Sequence, residues 1–170
     1  MATRTYNSFA TGWADKPKEV PSYLTPLIEA LLEHGGESVC WWNGNNGEAV
    51  ARILSQGGIS SRRVVVRRMQ AHRCHDNAFR LVWENPETYA LGTGYALTGG
   101  MWRPHSWAVR KSTGRLVETT VKSDKYFGVE GLAAAKVHFM EMAADGVPCA
   151  ERLLRELAAY EAAEIVKLAN

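Results

Sequence analysis

Three short β-rich stretches stand in close succession between residues 88 and 122: TYALGTGYALT, HSWAVRK and RLVETTVK. Each is bounded by glycine, proline or the Ser112-Thr113-Gly114 turn, which is how strands are punctuated. The connection 111–116 is short enough to make the last two an antiparallel hairpin. Helical periodicity surrounds them. SYLTPLIEALLEHGG places Leu24, Leu27, Ile28, Leu31 and Leu32 at helical spacing and stops at Gly35-Gly36. After the connecting ESVCWWNGNN, GEAVARILSQGG reads as a second short helix, and RRVVVRRM as a strand by its β-branched run. CHDNAFRLVWENP then sets Ala78, Leu81 and Val82 on one helical face and ends before Pro86. Two more helices, separated by DGVP, fill the stretch from Leu132 to Asn170. The expected fold is α+β: one antiparallel sheet packed on the helix that starts at Cys74, with additional N- and C-terminal helices.

A chain of 170 residues fits one domain, 1–170. Within it we expect a polar arm over 1–20, a core over 62–129 and C-terminal helices over 132–170. A net charge of +2 leaves no electrostatic footprint that calls for nucleic acid. The basic tract SSRRVVVRR alternates with valines and reads as a strand with a solvated edge. No apolar run approaches the length of a membrane span, and the first residues lack the apolar stretch of a signal peptide. Cys40, Cys74 and Cys149, odd in number and widely spaced, point away from a disulfide framework and toward a reducing compartment, by default the cytoplasm.

Cys74 opens a helix, where exposed backbone N–H groups and the helix dipole favour a thiolate and can also donate to an oxyanion. His105 stands at the start of a strand and Glu118 on the next. If the hairpin turns between Ser112 and Thr113, position 105 faces a partner near 120. Glu118 then lies two residues along on the same face, within diagonal reach. A carboxylate is thereby placed to orient an imidazole that faces the thiol.

Cysteine at a helix start, then histidine and an acid on adjacent strands, resembles the papain-like and transglutaminase-like thiol enzymes. The resemblance spans about residues 62–129 and rests on Cys74, PHSWAV with His105 and LVETT with Glu118. It implies nucleophile, general base and orienter for the three residues in turn. The chain departs from those families in having Glu as the third member and in lacking their C-G-x-C-W signature. By the same resemblance Gln70 is a candidate oxyanion donor, though its spacing is shorter. Asn77 is a further candidate, or a pin for the preceding loop. Trp107, on the face of His105, is placed to shield the imidazole, and Arg103 and Tyr126 are substrate-contact candidates.

Other readings compete at each position. Cys40 and Cys149, without matching His and acid downstream, read as core. His75 reads as an exposed first-turn residue beside Asp76, itself favoured by the helix dipole. His72, Cys74, His75 and His105 could be taken for a metal set, but neighbours such as 74 and 75 seldom both reach one tetrahedral ion, and no second ligand pair follows. The G-x-G of LGTGYALTGG lacks a dinucleotide loop's context and reads as flexible strand ends beside a cleft. Leu153, Leu154, Leu157 and Tyr160 make the last helix core-facing, with a dimer surface as its second use.

The function these residues imply is thiol-dependent acyl chemistry on a peptide or a small amide or thioester, by a hydrolase or an acyl transferase, without cofactor or metal. A non-catalytic partner-binding domain and a protein-glutamine deamidase are the alternatives.

Overall fold

The computed structural model describes residues 5–8, 20–41 and 47–169, with side chains described over 20–41 and 47–159. Of the expected arm, Thr5–Ser8 forms a strand, β1, and most of the rest lies outside the described residues. A 3-10 turn at Ser22–Leu24 leads into α1 (Thr25–Glu33), whose Leu27, Ile28 and Leu31 are buried with Leu24. Gly35 and Gly36 end it at φ of 106° and 87°, a backbone region that glycine enters without steric cost.

The segment after α1, read above only as a connection, is strand β2 (Ser38–Trp41), buried along its whole length. Its hydrophobic run Val-Cys-Trp has no alternation because both faces are covered, which is why periodicity alone does not reveal it. Trp42 lies outside the described residues. Helix α2 (Gly47–Gln56), strands β3 (Gly58–Ile59) and β4 (Val64–Val66), and helix α3 (Cys74–Glu84) follow. Then come β5 (Tyr89–Thr98), β6 (Met101–Arg110), β7 (Arg115–Glu118) and β8 (Lys125–Glu130), with α4 (Leu132–Ala144) and α5 (Ala150–Ala169) last.

The chain is α+β, but the sheet is mixed rather than antiparallel. Its order is β1-β2-β6-β5-β8-β3, with β7 on β6 and β4 on β7. The pairs β1–β2, β2–β6 and β4–β7 are parallel; the others are antiparallel. Strand β8 was not among the expected strands, and it displaces the simple meander by pairing with β5. The β6–β7 hairpin forms as expected, joining Ala108 to Val117 and Arg110 to Arg115.

Two consequences of this topology shape the site. First, one edge of β6 is shared: β2 pairs with Met101 and Trp102, while β7 pairs with residues 108–110. Neither ladder reaches 103–107, so the sheet has a notch there, and Pro104, which has no N–H to offer, fits it. Second, β3 borders β8 at one margin while β4 borders β7 at the other, so the link 60–63 carries the chain across one sheet face. Arg62 braces this link by donating to the Glu130 carboxylate and to the Gly114 carbonyl.

One sheet face, with Leu91, Tyr95, Leu97 and Trp102, packs against α1, α2 and α4 in the main core. The other carries a smaller cluster of Ala96, Trp107, Val109, Leu116 and Tyr126. Gly92 and Gly94 are interior to β5, not at a flexible end. A Cβ at Gly92 would lie 2.1 Å from the Trp107 indole nitrogen, so the bare backbone is what admits that ring.

Candidate functional site

Helix α3 begins at Cys74, and its buried face, Asn77, Ala78 and Leu81, seats it against the sheet. Leu81 joins Ala108 and Val117 in a local apolar cluster, so the side of β6 that carries Ala108 faces the helix. Side chains alternate along a strand. Ser106 therefore points to α3, whereas His105 and Trp107 point to the opposite face with Val109. The notch in the sheet edge is where thiol and imidazole approach: His105 and His75 both lie close enough to Cys74 to favour its charged form.

His105 Nε2 donates to Glu118 Oε2 at 2.7 Å, which leaves Nδ1 as the nitrogen serving the thiol. The ladder explains the contact. Its register would set residue 105 opposite 120, so Glu118 crosses on the diagonal from the end of β7. Glu118 has no solvent exposure, and His105 only 12%. The carboxylate is saturated: Thr120 donates to Oε1 from its N–H (2.7 Å) and its hydroxyl (2.8 Å), and the Tyr126 hydroxyl donates to Oε2 (2.9 Å). A buried charge with this many donors is fixed in place, since losing one partner would expose the whole desolvation cost. A surface carboxylate on an edge strand is thereby ruled out.

These contacts decide the electrostatics. Burial pushes the Cys74 thiol up, but hydrogen bonds and charge from His105 and His75 outweigh it and bring it down to about 5. Burial pulls His105 down, yet Cys74 and Glu118 together raise it to about 9. Burial also works against the Glu118 carboxylate, and His105 and Thr120 more than offset it, holding the group below its ordinary range. Around pH 7 the resting pair is thiolate and imidazolium, the state in which a thiol attacks. The dipole of α3 adds to this, and its N-cap Arg73 places no side-chain cap over the first-turn N–H groups.

A second imidazole stands close enough to the thiol to favour its charged form. His75 is half-buried rather than exposed, because its Nδ1 engages Ser106 Oγ at 2.8 Å. Ser106 Oγ in turn meets Thr93 Oγ1 at 2.8 Å, a buried chain that fixes the ring's direction. Asp76 remains at the surface, paired with Arg73.

The remaining candidates divide. Asn77 is buried and donates from Nδ2 to the Gln70 carbonyl at 2.6 Å, tying down the loop that precedes the helix. The Gln70 side chain is exposed. That loop turns through His72 at φ 60°, a left-handed conformation uncommon for a non-glycine residue. Tyr126 is buried against Glu118 and accepts from the Ser123 N–H, so its hydroxyl serves the acid rather than a substrate. Trp107 packs edge-on against Tyr126, whose ring stands 6.1 Å from His105. Arg103 is exposed and donates to the Thr98 carbonyl across its own hairpin. Cys40 is buried, as expected, but Cys149 is exposed, and none of the three cysteines forms a disulfide.

A cavity of about 500 Å³ lies by the first turn of α3, with Arg73, His75, Phe79 and Pro104 on one side and His138 and Glu141 on the other; Cys74 and His105 do not line it. The last two were not anticipated. His-x-x-Glu at i, i+3 on one helical face was the available signal, obscured because most of α4 is apolar or small. Donor atoms of His75, His138 and Glu141 all lie within 4.8 Å of one another, the one such group among the described residues.

Comparison with protein-family models, with curated proteins and with solved structures returns no match, so the chemistry is read from this geometry alone.

Proposed function

We propose that the protein performs cysteine-dependent acyl chemistry on an amide or thioester carbonyl, in the manner of papain-like and transglutaminase-like enzymes. The observation that supports it is the approach of Cys74, His105 and Glu118, from one helix and two strands, at a notch whose neighbours Arg73, His75 and Pro104 border a cavity. The Cys74 thiolate attacks the carbonyl carbon, and the first-turn N–H groups of α3 receive the developing oxyanion. Collapse breaks the C–N or C–S bond, and the His105 imidazolium delivers its proton to the departing amine or thiol. Water or an acceptor amine, deprotonated by His105, then attacks the thioester and releases Cys74. Glu118 holds the ring and its charge throughout. The cytoplasm, where thiols stay reduced, suits this chemistry.

The test is alkylation. At mildly acidic pH iodoacetamide is expected to label Cys74 ahead of the exposed Cys149 and the buried Cys40, read by peptide mass spectrometry. An activated acyl ester is expected to leave its acyl group on Cys74. Labelling of Cys149 ahead of Cys74, with no acyl adduct, would overturn the proposal in favour of a partner-binding domain.

A further inference from the structure

We infer that His75, His138 and Glu141 form a binding site for a divalent transition-metal ion of the Zn²⁺ class, bridging the first turn of α3 to α4. The set is two imidazoles and a carboxylate whose donor atoms lie within 4.8 Å of one another. Such a set suits Zn²⁺, which binds nitrogen and oxygen at about 2.0–2.2 Å and so wants donors about 3.4 Å apart. Closing the difference takes up to about 1.4 Å of side-chain adjustment.

The surroundings prepare each donor. His75 has its ring direction fixed by Ser106 on Nδ1, as outer partners fix ligating imidazoles. His138 is buried and stacks on Phe79 with ring centroids 4.9 Å apart. His138 and Glu141 lie three residues apart on one helix, hence on one face. The cavity alongside leaves room for a fourth ligand from solvent or a small molecule, and Asp76 and Asp145 on its wall bias it toward a cation, with Arg73 opposing.

Protonation differs among the three: against the pull of burial, Cys74 and Glu141 raise His75, so an ion binding there has to displace a proton from that ring. Burial lowers His138 to about 4, helped by His75, so its imidazole is neutral and able to ligate. Burial raises Glu141 to about 7; His75 pulls it back and Asp145 adds to the rise. A carboxylate short of solvent and facing another acid gains most from a cation.

The site shares His75 with the surroundings of Cys74 but does not depend on the acyl chemistry, and binding is read without turnover. Full-length protein, stripped with chelator, would be titrated with Zn²⁺ by calorimetry and with Co²⁺ by visible absorption. The expected result is one equivalent of Zn²⁺, a four-coordinate Co²⁺ spectrum and a rise in Tm. Glu141→Gln, which preserves shape, should weaken Zn²⁺ binding by ~100-fold or more, exceeding the roughly 10–100-fold that outer partners are worth. His138→Ala should do the same, while Cys74→Ala keeps the affinity and the Tm rise. No binding by the wild type, or binding that survives Glu141→Gln but is lost in Cys74→Ala, would overturn the site; the latter would put the ion on the thiol–imidazole pair.

Discussion

At the scale of single residues, the acid is the best-defined member of the trio, because four donors converge on Glu118. Cys74→Ala and His105→Ala should each reduce acyl-transfer activity to background, a fall of ~10⁴-fold or more in kcat/KM. Glu118→Gln should cost less, about 10²-fold, since an amide still holds the ring but not its charge. With thiol and imidazole set to about 5 and about 9, kcat/KM should rise through the first value and fall through the second. The profile is measured with a chelator present, so that no ion sits by His75. Because Glu118 helps to raise His105, the alkaline limb should move to lower pH in Glu118→Gln; an unmoved limb would show that the carboxylate does not tune the base.

At the scale of elements, the site depends on close approach between β5, β6 and β8. A Cβ at Gly128 would come within 2.2 Å of the Thr93 backbone oxygen, and one at Gly92 would strike Trp107. Gly128→Ala and Gly92→Ala should each destabilise the fold by about 1–3 kcal/mol, measured as a lower urea midpoint at unchanged slope. The hairpin carrying His105 and Glu118 was legible because its turn chemistry fixes register, and register fixes which side chains share a face. The order Cys, His, Glu and the start of α3 were legible for the same local reasons. Strands β2 and β8 were not. Both are short, and what holds them is pairing with distant strands rather than a local pattern. His138 and Glu141 were missed likewise: their partner, His75, lies more than sixty residues away in the chain.

At the scale of the whole molecule, stability and the site are linked by charge. The Glu118 carboxyl titrates below its ordinary range when folded, burial notwithstanding, because of His105 and Thr120. Its contribution is therefore present above the unfolded value of 4.5 and is lost as pH falls through the folded value. Acid titration of the urea midpoint should show a fall below about pH 4 in the wild type and a shallower one in Glu118→Gln. Equal slopes would show that this carboxylate does not govern acid unfolding.

The enclosure of Glu118 also restricts how it exchanges with its surroundings. With none of its surface open to solvent and its oxygens committed to Thr120, Tyr126 and His105, it has no doorway of its own. Its hydrogen ions exchange with bulk water through partners that are themselves only partly open, the His105 ring and the Thr120 hydroxyl. A substrate seated over the imidazole would narrow that exchange and slow any change in the charge of the acid.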